Sequence, residues 1–273
     1  MIFDDTQCKL GEGPLWHPER EQLFWFDILG NRLHTKGQHW QFDTYISAAG
    51  WVDRDTLLIA SARALHRFDI TTGEHDALCP LEADNKVTRS NDGRADPQGG
   101  FWIGTMGINA EDGAGAIYRY YKGELRQLFA PITISNAICF APDGKTAYFT
   151  DTPTHQIMRV TLDADGWSEG EPQLHIDLTG TDFRPDGAVV DTEGNLWSAQ
   201  WGAARVAGYA PDGSFIKALD FPAQQTSCPA FGGPDRNILY CTSAAVGLDG
   251  PDEGKTFAIT TDITGQKEHR VIL

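Results

Sequence analysis

Asp96-Pro97-Gln98-Gly99-Gly100-Phe101-Trp102 reads as a tight turn feeding an aromatic strand. Pro97 fixes φ, the glycine pair tolerates left-handed backbone, and Phe-Trp suits a pleated, covered surface. Five other stretches repeat the pattern, at residues 17–25, 53–59, 142–149, 191–197 and 234–240. Spaced roughly 35 to 50 residues apart, the six copies have the period of propeller blades.

Each copy predicts a hairpin: a short apolar strand, a turn, and a second strand carrying Trp, Phe or Tyr. Such a unit cannot bury both faces alone, whereas six stacked radially cover one another. The predicted fold is therefore all-β, a six-bladed β-propeller of four-stranded antiparallel blades around a central channel, with residues 1–273 as a single domain. Further strands are expected at 32–35, 64–68, 116–120, 156–160, 205–209 and 256–260. The terminal Val271-Ile272-Leu273 also reads as strand-like, and Met1-Ile2-Phe3 is expected to pair into the last blade and close the ring.

The chain carries 38 acidic and 22 basic side chains, a net charge of −16, with no Lys/Arg cluster. That balance repels phosphate backbones and anionic leaflets, which argues against nucleic-acid and membrane partners. No run of about 18 apolar residues is present, and the first residues lack a basic segment followed by an apolar one. The five cysteines form no Cys-x-x-Cys pair, so neither a disulfide framework nor a thiolate zinc site is expected. A cytoplasmic monomer is the simplest expectation.

The residue preceding each inner strand opens onto one end of a propeller's channel. In four repeats it bears an oxygen: Glu12, Asn91, Asn136 and Asp186. Asn, Asp and Gly before a strand are ordinary turn residues, and only their recurrence at matching places lifts the group above that reading. Two carboxylates and two carboxamides aimed at one axis suit a hard divalent cation. Calcium, magnesium and manganese lead, with zinc and ferrous iron behind. Arg89, two residues before Asn91, has a guanidinium fork suited to ligand oxygens. No Gly-x-Ser-x-Gly elbow, phosphate loop, EF-hand run or His-Glu-x-x-His spacing occurs.

Gly11-Glu12-Gly13-Pro14-Leu15-Trp16, Asn91 to Pro97 with Gly104-Thr105-Met106, Ile134-Ser135-Asn136, Pro185-Asp186-Gly187 with Gly194-Asn195-Leu196-Trp197, and Thr226-Ser227-Cys228 with Phe231-Gly232-Gly233 occur in this order. In that order the chain resembles, over nearly its whole length, the senescence-marker-protein/gluconolactonase/regucalcin family of six-bladed propellers. The resemblance implies a metal-dependent sugar lactonase in which Glu12, Asn136 and Asp186 hold one divalent cation while Arg89 and Asn91 contact the lactone. The regucalcin branch has a ligand-contacting Glu three residues after Gly-Thr-Met; here Asn109 stands there and is assigned a polar substrate contact.

On this reading the cation polarises the lactone carbonyl or its attacking water, Asp186 is general base, and an aldonic acid results. A polar pocket is expected, favouring a hydroxylated substrate over an aryl one. Two alternatives stand beside it: a non-catalytic calcium-binding propeller, and a metal-dependent esterase of other specificity.

Overall fold

In the computed structural model, which describes all 273 residues, 24 strands form six four-stranded antiparallel sheets. The first strand, β1 (Ile2–Asp4), is set aside for the last blade. Blade I is β2 (Gly11–His17), β3 (Gln22–Asp27), β4 (Arg32–Thr35) and β5 (Gln38–Gln41); blade II is β6 (Ile46–Asp53), β7 (Thr56–Ser61), β8 (Ala64–Asp69) and β9 (His75–Pro80). Blade III follows as β10 (Thr88–Ala95), β11 (Phe101–Gly107), β12 (Gly115–Tyr121) and β13 (Glu124–Ile132). Blade IV is β14 (Ser135–Phe140), β15 (Thr146–Asp151), β16 (Gln156–Leu162) and β17 (Ser168–Asp177). Blade V is β18 (Arg184–Val190), β19 (Leu196–Trp201), β20 (Arg205–Tyr209) and β21 (Phe215–Asp220). Blade VI joins β22 (Gln225–Gly232), β23 (Ile238–Ala244) and β24 (Thr256–Thr260) to β1. The innermost strands pack each beside the next, and β22 returns beside β2, which closes the ring.

The repeated turn works through one device. Asp96 Oδ1 accepts the N–H groups of Gln98 and Gly100, Asp191 Oδ1 those of Glu193 and Asn195, and Asp143 Oδ1 those of Lys145 and Thr146. A side-chain oxygen thus satisfies turn donors that the ladder leaves free. In blade I the ring of His17 takes this place, its Nδ1 facing the N–H groups of Glu19 and Arg20. Asp96 also pairs with Arg119 at 2.5 Å, both fully buried, and the Arg119 guanidinium lies over the rings of Tyr121 and Trp167.

Apolar cores sit between blades rather than within them. Leu15, Phe24 and Phe26 of blade I meet Trp51, Leu57 and Ile59 of blade II, and Trp197 and Val206 of blade V meet Phe231 and Phe257 of blade VI. The tryptophans Trp25, Trp102 and Trp197 are fully buried, as blade-core residues should be. The seam between blades VI and I has the smallest core, with Cys8, Leu23, Trp25 and Tyr240. Strand β1 reinforces it: Met1 and Ala258 exchange backbone bonds, and Phe3 sits edge-on to Trp25 and Tyr240.

The carboxyl terminus departs from expectation. Residues 271–273 form no strand; the chain from 261 onward runs across the end of the channel where the inner strands finish. Gln266 Nε2 donates to the carbonyls of Phe140 and Val190, and the N–H groups of Val271 and Ile272 donate to Trp51 and Gly99. Glu268 reaches into the channel and pairs with Arg94 at 2.5 Å. Short apolar runs at a chain end satisfy strand patterning, and only the neighbours decide whether a ladder forms.

Removing residues 1–4 uncovers the hydrogen-bonding edge of β24 and strips Phe3 from the smallest interblade core. The truncated protein is expected to melt several degrees lower and to self-associate, measured by thermal unfolding and by light scattering; an unchanged melting temperature with a monomeric product refutes the closing role of β1.

Candidate functional site

Every innermost strand is irregular near its start. In blade III, Asn91 and Asp92 lie opposite the single Gly104; in blade V, Asp186 and Gly187 lie opposite Ala199; in blade IV, Ala137 and Ile138 lie opposite Phe149; in blade I, Gly13 and Pro14 lie opposite Trp25. Bulges of this kind re-aim side chains and release backbone groups from the ladder. Glu12 and Asn136 stand just before the extra residues, whereas Asn91 and Asp186 open them. The four are therefore not at one register position, although they reach the same mouth.

Glycines at these bulges permit the close approach. A Cβ on Gly187 would collide with the Cys228 side chain of blade VI, and one on Gly13, which has φ +53°, with the Ser47 carbonyl of blade II. The loops leading into the inner strands are held by carboxylates at the ends of the second strands. Asp27 accepts the N–H groups of Lys9, Leu10 and Gly30; Asp151 accepts those of Thr133 and Ile134. Glu12 and Asn136 each follow such an anchor by two residues.

The mouth opens into a cavity of about 350 Å³ lined by Glu12, Arg89, Asn91, Asn136 and Asp186, with Thr152, Arg184 and Trp201 added. Arg89 Nη1 donates to Asn91 Oδ1 (2.8 Å), while Asn91 Nδ2 donates to the Ser135 carbonyl (2.8 Å) and to Asn136 Oδ1 (3.1 Å). Asn136 Nδ2 donates to Thr152 Oγ1, which donates on to the Pro185 carbonyl. This chain of bonds runs from blade III to blade V and fixes which end of the Asn136 amide is Oδ1. Arg89 Nε is buried without a partner, and Nη2 makes no bond within the chain.

Glu12 and Asp186 are only 5% and 4% exposed. Each carboxylate takes the N–H of the following glycine, Gly13 or Gly187, and no side-chain donor. Burial, then the neighbouring Asp92, pushes Glu12 up to about 8. Asp186 lies well above the ordinary carboxylate range, first through burial and then through Glu12 and Asp92. Asp92 lies deeper in the same channel, accepting the Ile138 N–H at 2.7 Å, and burial raises it to about 6. Burial also brings Arg89 down to about 10. Arg89 thus faces Glu12 and Asp186 in a low-dielectric pore, while the cation acting on Asp92 is Arg94, itself paired with Glu268.

The structure brings together Glu12, Arg89, Asn91, Asn136 and Asp186 and does not bring Asn109 to them. Asn109 is exposed, outside the cavity lining, and its Nδ2 donates to Glu111 Oε1 at 2.9 Å. The lining also corrects the expected polar pocket: about half of it is apolar, including Leu29, Met106, Ile108, Ile134 and Val246. These residues stand in connecting loops or at strand ends without a shared motif. Asp92 was legible as the neighbour of Asn91, but only the bulge shows that both face inward. No three His, Cys, Asp or Glu side chains stand close enough together to hold one ion, so a cation site here draws on other oxygen donors, to which the carboxamides belong.

Residues 10–245 match the family model described as the SMP-30/Gluconolactonase/LRE-like region. The crystal structure of a calcium-binding protein, regucalcin, from Agrobacterium tumefaciens is 41% identical with a TM-score of 0.97, covering 100% of this chain and 97% of that one. An L-arabinolactonase of Azospirillum brasilense is 35% identical over 98% of this chain and 94% of its own length. A 6-deoxy-6-sulfogluconolactonase of Pseudomonas putida is 32% identical over 95% and 94%. No helix is long and apolar enough to cross a membrane. With its six blades, its matched length and the motif residues gathered at one channel mouth, the chain belongs to the SMP-30/gluconolactonase/LRE-like family.

Proposed function

We propose that this protein hydrolyses a sugar lactone to the aldonic acid with one divalent cation at the channel mouth. The observation that carries the reading is a pair of buried carboxylates without side-chain donors, beside a guanidinium whose Nε and Nη2 are free. Named relatives that act on sugar lactones support it, as does the one named for calcium binding.

The residues fit a cation. Two neighbouring buried acids cannot both ionise cheaply, and a positive ion between them removes that cost. Glu12, Asp186 and Asn136 Oδ1 would hold it, an all-oxygen set suited to calcium, with magnesium, manganese, zinc and ferrous iron as competitors. When bound, the cation supplies Lewis acidity toward the lactone carbonyl and its attacking water.

Asp186 serves as general base and takes a proton from that water. The water oxygen bonds to the carbonyl carbon, the bond from that carbon to the ring oxygen breaks, and the ring oxygen leaves with the proton that Asp186 took up. Arg89, through Nε and Nη2, holds oxygens of the substrate, and Asn91 offers the remaining lone pair of Oδ1. Asn109 keeps a role only if its loop brings it inward from Glu111. A single chain lines the whole cavity, so a monomer suffices, and five free cysteines suit a reducing cytoplasm.

Asp186→Asn is expected to lower kcat by about 10²- to 10⁴-fold on a panel of pentono- and hexonolactones, followed as acid release after chelation and readdition of each metal. Full turnover by the metal-loaded variant removes Asp186 from the chemistry. Lactones left untouched under every metal favour the non-catalytic cation-binding propeller instead.

The raised carboxyl groups also set a pH dependence in chelated protein. The folded chain keeps a proton on Glu12 that the unfolded chain releases between its ordinary value of 4.5 and about 8. Stability therefore falls as pH rises through that window. The melting temperature is expected to drop from pH 5 to pH 8, to drop less in Glu12→Gln, and to recover on adding a divalent cation only in the unsubstituted protein. A flat profile in chelated protein contradicts the burial of an uncompensated acid.

A further inference from the structure

The unspent hydrogen-bonding groups of the cavity are confined to part of its lining. Asn91 spends both N–H groups on Ser135 and Asn136, and Asn136 spends one of its two on Thr152. Thr152 donates to Pro185. Glu12, Asp186 and Asn136 Oδ1 are the proposed cation ligands. What remains for substrate hydroxyls is Arg89 Nε and Nη2, one lone pair on Asn91 Oδ1, the second N–H of Asn136, the Trp201 indole N–H and the Arg184 side chain, which forms no hydrogen bond or ion pair within the chain.

Around this polar centre the walls are apolar. Leu29 and Val246, from the adjoining blades I and VI, stay 38% and 44% exposed at the mouth. Met106, Ile108 and Ile134 from blades III and IV face the same cavity, and Trp201 stands beside Arg184 in register across β18 and β19. Exposed apolar side chains gathered at a cavity mouth mark a ligand surface. A lactone whose carbonyl sits at Glu12 and Asp186 must extend its far end over these walls. A hydroxyl placed against Leu29 and Val246 meets no polar atom of their side chains, while a methyl group gains burial.

We propose, on the basis of the lactonase reading above, that the preferred substrate is an aldonolactone with an apolar far end: a 6-deoxyhexonolactone, bearing CH₃ where its parent bears CH₂OH. The apolar crescent of Leu29 and Val246 is the specificity element.

The test compares kcat/KM for two pairs that differ in that one hydroxyl, L-rhamnono- against L-mannono-1,4-lactone and L-fucono- against L-galactono-1,4-lactone. At least one deoxy lactone is expected to be favoured about tenfold over its parent. Val246→Thr and Leu29→Gln, which place hydrogen-bonding atoms on the crescent, are expected to bring that ratio toward one, chiefly through the deoxy substrate. Parents used as well as or better than both deoxy lactones overturn the inference and leave the lactonase reading intact. A tenfold preference unmoved by either variant overturns the role of the crescent. No turnover on either series or on pentonolactones overturns the lactonase reading and this inference with it.

Discussion

A propeller blade has two faces and no core of its own, so everything in this chain depends on the ring closing. Five of the six interblade cores are assembled by consecutive sequence, whereas the sixth needs the two ends of the fold to meet. That seam, built on Cys8, Leu23, Trp25 and Tyr240, is the smallest core of the six. Strand β1 compensates by completing blade VI from the opposite end of the chain, and Ser227 Oγ adds a bond to the Gly11 carbonyl across the same boundary. Gly11 directly precedes Glu12, so closing the ring and placing the first carboxylate are one event.

The inner strands carry two demands that conflict in a regular ladder. They must pair with the second strands, and they must point oxygens at the axis. Bulges reconcile them by freeing groups from the ladder, and the freed groups are reused. The Ile138 N–H released in blade IV goes to Asp92 of blade III, and the Ser135 carbonyl to Asn91. Neighbouring blades are thus stitched at the site itself, and Glu12 and Asp186 remain buried beside Arg89. An arrangement that leaves two carboxylates short of donors is poor for stability and good for gripping a positive ion.

The blade repeat was legible because its signals are local: Asp or His at the turn, glycine where φ turns positive in blades III to V, aromatics on the next strand; in blades I and VI Glu21 and Arg236 take the positive φ instead. Glu12, Asn136 and Asp186 were legible for the same reason, since each stands a fixed distance before a recognisable hairpin. Asn109 failed because its direction depends on a loop after β11, where Glu111 captures the amide. Leu29, Val246 and Trp201 carry no motif and become neighbours only when blades I, V and VI meet. The Arg119–Asp96 pair likewise joins residues whose spacing says nothing of contact. The terminal Val271-Ile272-Leu273 had strand composition but no free edge to join.

The carboxyl-terminal segment, drawn across the far end of the pore and latched by Glu268 on Arg94, turns what could be a tunnel into a well. A molecule entering past Leu29 and Val246 has no other exit. Reactant and product must then use the same doorway in turn, so the negatively charged acid leaves against the next neutral lactone arriving. Departure is helped by the acids that line the well and hindered by Arg89. The balance between those charges bears on how long the product stays.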